Sequence, residues 1–165
     1  MDADEFIRLV DRHAAALELF AAQWTVAPGD VVQEAFWQLC RQDPPPERIV
    51  PWLYRVVRNG AISAARSESR RRRHEATAAR LAGSWFEPSL DAAFDAARAT
   101  AALQELPEQE REVIIAHVWG GLSFEEIADA FETSSSTAHR RYQAGLAALR
   151  ERLGVRWLAN TTKPK

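Results

Sequence analysis

Residues 120–143, GGLSFEEIADAFETSSSTAHRRYQ, hold two helix starts in close succession, and their reading decides the fold. Gly120-Gly121 breaks the chain, and Ser123-Phe124-Glu125-Glu126 then forms a capping box. The Ser123 hydroxyl serves orphan amides of the first turn while Glu126 reaches back to the cap. A helix of about two turns, Phe124 to Phe131, follows. Glu132-Thr133 makes a tight turn, and Ser134 is positioned to cap the next helix. Ile127, Ala128 and Phe131 supply the small and apolar side chains needed where two helices cross closely. The pattern is that of a helix-turn-helix.

The second helix is expected from Ser135 to Leu153, with Gly154 as its terminator. Ala138, Tyr142, Leu146, Leu149 and Leu153 recur at steps of three or four and belong to a core, so Ser136, His139, Arg140 and Gln143 face outward. Those four carry the donors and acceptors that read base edges in a major groove. Thr137 and Arg141 are placed to touch flanking phosphates.

Upstream, helices are expected over about Ala92 to Glu105 and Glu108 to Trp119. Residues Glu75 to Thr100 mix alanine with Gly83, Pro88 and scattered acids, and Trp85-Phe86 stand out among them. This reads as a linker, which at roughly 25 residues could extend over roughly 80 Å. The front of the chain carries three more helical patterns. Phe6, Leu9, Val10, His13, Leu17 and Phe20 mark a helix from about Ala3 to Trp24. Val32, Ala35, Phe36 and Leu39 form the buried stripe of a second, about Gly29 to Arg41, which Pro44-Pro45-Pro46 stops. Its other face holds Asp30, Gln33, Glu34 and Trp37. A third runs from Ile49 to His74, with Pro51 tolerated in its first turn. Leu53, Val56, Val57, Gly60 and Ala64 line its core side; Arg55, Asn59, Ser63, Arg66 and Arg70 line another side suited to an anion.

Strand signals are nearly absent, and the fold class is all-α: two small helical domains joined by a linker, the C-terminal one a helix-turn-helix. The boundaries are 1–75, a linker over 76–100, 101–158, and a flexible tail over 159–165. The net charge of -2 conceals an uneven distribution, because nineteen of the twenty-one basic residues are arginine and several cluster, as in Arg70-Arg71-Arg72-Arg73. A single cysteine, Cys40, allows no internal disulfide, and neither a leader-like start nor a membrane-length apolar run is present, which points to the cytoplasm. His74-Glu75 lacks a second histidine at Ala78, no phosphate-cradling loop ending in Lys-Ser or Lys-Thr occurs, and His13, His74 and Cys40 have no metal-ligand spacing. No metal, cofactor, small-molecule substrate or enzymatic activity is expected.

Leu106-Pro107-Glu108-Gln109-Glu110-Arg111-Glu112-Val113, followed by Gly121 to Ala128 and Leu146 to Leu153, resembles region four of sigma factors. Asp30-Val31-Val32-Gln33-Glu34-Ala35-Phe36 and Trp52-Leu53-Tyr54-Arg55-Val56-Val57-Arg58-Asn59 resemble the polymerase-binding and promoter-melting helices of region two. Two regions and a short linker are similar to the extracytoplasmic-function (ECF) type. The resemblance implies a protein that directs promoter-specific initiation by binding core RNA polymerase and promoter DNA. Asp30, Gln33, Glu34 and Trp37 would meet the polymerase clamp helices. Trp52, Arg55, Arg58, Asn59, Ser63, Arg66 and Arg70 would meet the minus-ten element, and Ser136, Thr137, His139, Arg140, Arg141 and Gln143 the minus-thirty-five element. An anti-sigma factor is a further partner common in the family. The chain departs from the family pattern at Ser63, where many relatives carry Asp, and at Ala27-Pro28-Gly29, where relatives carry an acidic pair.

Blander readings stand beside these. The arginine run also suits a solvated helix end, Asp30, Gln33 and Glu34 suit a helix N-terminus, Trp52 and Tyr54 suit a core, and His117 among Val113, Ile114 and Val118 reads as a core histidine. Two other functions also fit: a sigma-like decoy that sequesters an anti-sigma factor, and an ordinary helix-turn-helix regulator that binds duplex DNA without polymerase.

Overall fold

The computed structural model describes residues 2–74 and 100–153, which are helical with no strand among them. In chain order the main helices are α1 (Ala3–Ala21), α2 (Pro28–Cys40), α3 (Ile49–His74), α4 (Glu108–Val118), α5 (Phe124–Ala130) and α6 (Ser135–Leu153). A further helical stretch over 100–104 precedes α4. The linker with Trp85-Phe86, the terminator Gly154 and the tail lie outside the described residues.

The boundaries follow local chemistry. The Asp2 side chain accepts from the Glu5 amide at 2.7 Å, satisfying one orphan donor of α1. Pro28 opens α2, where a missing N–H costs nothing. The first helix ends at Ala21, one turn before the expected Trp24, because the Trp24 amide tightens onto the Ala21 carbonyl in a shorter turn.

Helices α1, α2 and α3 bury the expected stripes against one another: Leu17 and Phe20 meet Val32, Ala35, Phe36 and Leu39, with Leu53 and Val57 closing the layer. Phe6 packs edge-on against Phe36 at 5.9 Å. In the second half, α4 is buried over the five consecutive residues Glu112 to Ala116, so it is enclosed on every side. Gly145 of α6 lets α4 approach closely, since a methyl there would press to 2.6 Å from Ile114 Cδ1.

The two halves share one core. Phe20 of α1 stacks on Phe131 after α5, with ring centroids 5.5 Å apart and planes 2° from parallel, and also meets Tyr54 of α3 at 5.0 Å. Tyr54 is fully buried beneath the end of α4, where a methyl on Gly120 would overlap its hydroxyl and the Ala116 carbonyl. The neighbouring Gly121 takes φ 68°, the left-handed conformation that ends the turn.

Candidate nucleic-acid interface

The start of α6 is fixed by its own polar side chains. Ser123 and Glu126 complete the capping box of α5, the Glu126 amide donating to Ser123 Oγ at 3.2 Å and the Ser123 amide to Glu126 Oε2 at 2.8 Å. Glu132 turns the chain with φ 52°, and the Thr133 amide donates to the Ala128 carbonyl at 3.0 Å. Ser134 Oγ then accepts from the Thr137 amide at 3.2 Å and lies 2.9 Å from the Thr137 hydroxyl. A helix held this way presents its first turns in one orientation, which base reading requires.

Ser136, His139, Arg140 and Gln143 are all exposed along that helix, and Thr137 and Arg141 sit half-buried at its rim. The His139 ring stands edge-on to Phe124 at 5.0 Å, and its Nε2 is 3.5 Å from the Gln143 amide nitrogen. Ala138 is buried and Tyr142 packs against the core, as the spacing predicted. His117 bonds the Leu122 carbonyl through Nδ1 at 2.7 Å and stacks on Phe124. Among the described residues no cluster of His, Cys, Asp or Glu could hold a metal, and no helix is long and apolar enough to cross a membrane.

The second expected DNA face lies on α3 and is divided. Asn59, Ser63, Arg66 and Arg70 are exposed. Arg55 and Arg58, from the same helix, are turned into acidic partners of the other half. Arg55 Nη2 donates to the Asp129 carbonyl at 2.7 Å and to Asp129 Oδ1 at 2.9 Å. Arg58 Nε donates to Glu112 Oε1 at 2.6 Å, and its guanidinium lies 6.0 Å from the centre of the Phe131 ring. Glu112 is only 2 % exposed. Burial pushes its carboxyl above the ordinary value of 4.5; the Arg58 bond and charge oppose the rise, the Glu108 charge adds to it, and Arg141 opposes it. Arg48 adds a looser pair to Asp129 at 3.4 Å. Trp52 is half-buried against the core, and Tyr54 is wholly inside, where burial pushes its phenol up. The side chains of Arg71, Arg72 and Arg73 lie outside the described ones.

A third surface is the groove between α1 and α2, about 1000 Å³ in volume, with Phe6, Val10 and Ala14 along one wall. Asp30, Gln33, Glu34 and Trp37 line the other, all exposed, with Trp37 at 54 %. Arg41 lies over the Trp37 ring at 4.5 Å, and Gln38 donates to Glu34 at 3.0 Å. The helical spacing brings these four onto one rim.

Sequence reasoning does not single out the acids that hold Arg55 and Arg58. Nothing local marks Asp129, which reads as part of a short polar helix. Glu112 does leave a signal: it lies in REVIIAHV, which has no polar face at its centre, so a charge there must find a buried partner.

Comparison with known proteins fits this geometry. The profile described as Sigma-70, region 4 matches residues 96–149. The RNA polymerase sigma factor CarQ of Myxococcus xanthus is 31 % identical over 162 residues, covering 92 % of this chain and 90 % of that protein. The sigma factor RpoE of Bartonella quintana, solved with the anti-sigma factor NepR, superposes with a TM-score of 0.75 at 22 % identity, over 94 % of this chain and 100 % of that one. CnrH, solved with the cytosolic domain of CnrY, gives 0.63 at 24 % identity, over 93 % and 90 %. With an exposed, capped recognition helix at one end and a relative aligned along nearly its whole length, the chain belongs to the sigma-70 family of RNA polymerase sigma factors, as an extracytoplasmic-function member.

Proposed function

We propose that this chain binds core RNA polymerase in the cytoplasm and directs it to promoters by contacting two DNA elements, without making or breaking a bond itself. The observation that carries the proposal is the face of α6, where Ser136, His139, Arg140 and Gln143 stand exposed on a helix whose start is fixed by Ser134. These four, with Thr137 and Arg141 on the backbone, would read the minus-thirty-five element. Asn59, Ser63, Arg66 and Arg70, together with Arg55, Arg58 and Trp52, would hold the opened minus-ten strand, where phosphate contacts and stacking supply the affinity. The rim of Asp30, Gln33, Glu34 and Trp37 would dock on the polymerase clamp helices, with Trp37 as a large partly apolar anchor. The boundaries 1–75 and 101–158 are proposed for the two DNA-contacting units. RpoE and CnrH were each solved with a partner protein, and an anti-sigma factor is proposed as a further partner of this chain.

The test is transcription from a pool of promoter fragments by purified core polymerase with and without this chain. Specific start sites that appear only with it are expected. Binding to polymerase without start sites would favour a decoy, and duplex binding that ignores polymerase would favour an ordinary regulator.

A further inference from the structure

We propose that Phe124, which is not on the recognition helix, is a positioning residue for base reading: through His139 it holds Gln143 in the orientation that takes the edge of an adenine in the minus-thirty-five element. The inference rests on the proposed reading of α6 as the helix that meets that element.

A run of contacts leads from the turn before α5 to the exposed face of α6. The Leu122 carbonyl can only accept, so His117 Nδ1, 2.7 Å away, carries a proton and donates it. Phe124 lies on the imidazole held by that bond, with centroids 4.6 Å apart and planes 18° from parallel. Tyr142 meets both rings, at 4.8 Å from His117 and 5.5 Å from Phe124. The backbone of Phe124 is fixed as well, because the residue before it is the cap Ser123. His139 stands at right angles to the Phe124 ring at 5.0 Å, and its Nε2 is 3.5 Å from the Gln143 amide nitrogen.

An amide nitrogen has no lone pair to offer, so an amide N–H donates here to an unprotonated Nε2. One N–H of Gln143 is thereby engaged, and the carboxamide keeps its second N–H beside its oxygen, a donor and an acceptor in one plane. An adenine edge in the major groove presents N7 to accept and N6 to donate, the complement of that pair. A glutamine without support can turn its amide over and loses rotamer freedom on binding; one held in advance loses less and keeps one face towards the base. The composition of the cluster points the same way. Aliphatic side chains would fill the space where α4, α5 and α6 meet. What the two imidazoles add is a hydrogen bond at each end, one to the backbone of a turn and one to an exposed side chain.

The test uses holoenzyme assembled from purified core polymerase and the full chain, on a promoter pool whose minus-thirty-five element is randomised, and sequences the templates that yield start sites. Wild type should prefer adenine at least about fivefold at one position of the element, and Gln143→Ala should lose that preference. Gln143→Glu, whose carboxylate can only accept, should move the same position towards cytosine. Phe124→Leu should flatten the adenine preference to less than about twofold and leave the other positions as they were. Phe124→Tyr, which keeps the ring, should restore it. His139→Ala, at an exposed site, should repeat the effect of Phe124→Leu without disturbing the cluster behind it. An even loss at every position in Phe124→Leu gives the ring a structural role and overturns the proposal. So does an adenine preference that survives His139→Ala or folded Phe124→Leu. A preference unchanged in Gln143→Ala overturns Gln143 as the reader, while the start sites themselves keep the sigma-factor reading intact. Absence of start sites with the wild-type chain removes that reading and the inference with it.

Discussion

Helices α3 and α6 are both arginine-bearing helices with a face proposed to meet DNA, yet they present it differently. On α6, Arg140 and its neighbours are exposed, and the bonds that matter lie at the helix start, within the same half. On α3, Arg55 and Arg58 reach across to the other half and are held by Asp129 and Glu112. The contrast separates a surface whose shape is fixed locally from one whose availability depends on how two halves meet. The first is set by capping and spacing; the second by contacts between residues far apart in the chain.

The comparison can be broken most forcefully at the shared core. Phe20→Ala removes the ring that touches both Tyr54 and Phe131, and should lower stability by about 3 to 5 kcal/mol in a urea melt. If the two halves were independent, the loss would be confined to the transition of residues 2–74 alone. One step smaller, Arg58→Ala leaves the buried Glu112 carboxylate without its bonded partner and should cost about 3 kcal/mol of stability. Arg66→Ala, on the exposed stretch of the same helix, should weaken strand binding with less than about 0.5 kcal/mol of effect on the melt. Equal destabilisation by both would erase the distinction between the covered and the open parts of α3.

Sequence and structure agree where the determinants are local. The helix starts at Ser123 and Ser134, the stripe of Val32, Ala35, Phe36 and Leu39, and the outward set of α6 all follow from periodicity and capping, which act within a few residues. The groove rim of Asp30, Gln33, Glu34 and Trp37 was legible for the same reason. The meeting of the halves was not. Asp129 has the sequence surroundings of any solvated acid in a short helix, and its pairing with Arg55 spans the same meeting of the halves as the stack of Phe131 on Phe20. Tyr54 could have served as a core ring or a base-stacking one by its spacing, and its place under Gly120 depends on a contact that no periodicity encodes.

Two smaller effects sharpen the picture. Arg140→Ala should weaken binding of holoenzyme to the upstream duplex element by about 1 to 3 kcal/mol and leave stability unchanged, measured by filter binding and melting. The smallest is a pH effect on the buried pair. Because burial raises the Glu112 carboxyl above 4.5, the folded chain takes up its proton more readily than the unfolded one. The stability this contributes is complete below 4.5 and is lost as the pH rises through the raised value. Wild type should therefore gain on Glu112→Gln as the pH is lowered across that window, in paired urea melts. A gain in the opposite direction would mean that Arg58 outweighs burial at this site.

The fit of Tyr54 beneath Gly120 reaches past stability into how such a chain can change over time. Only a hydrogen has room at position 120 while the phenol lies there, so position 120 is not free to drift alone. A side chain can appear at 120 only after the ring at 54 has shrunk or swung away and the Ala116 carbonyl has also given ground, so the order of those steps is fixed. Linked substitution at this pair among descendants would be a trace of selection on the contact between the two halves, inherited across two segments proposed to meet different parts of a promoter.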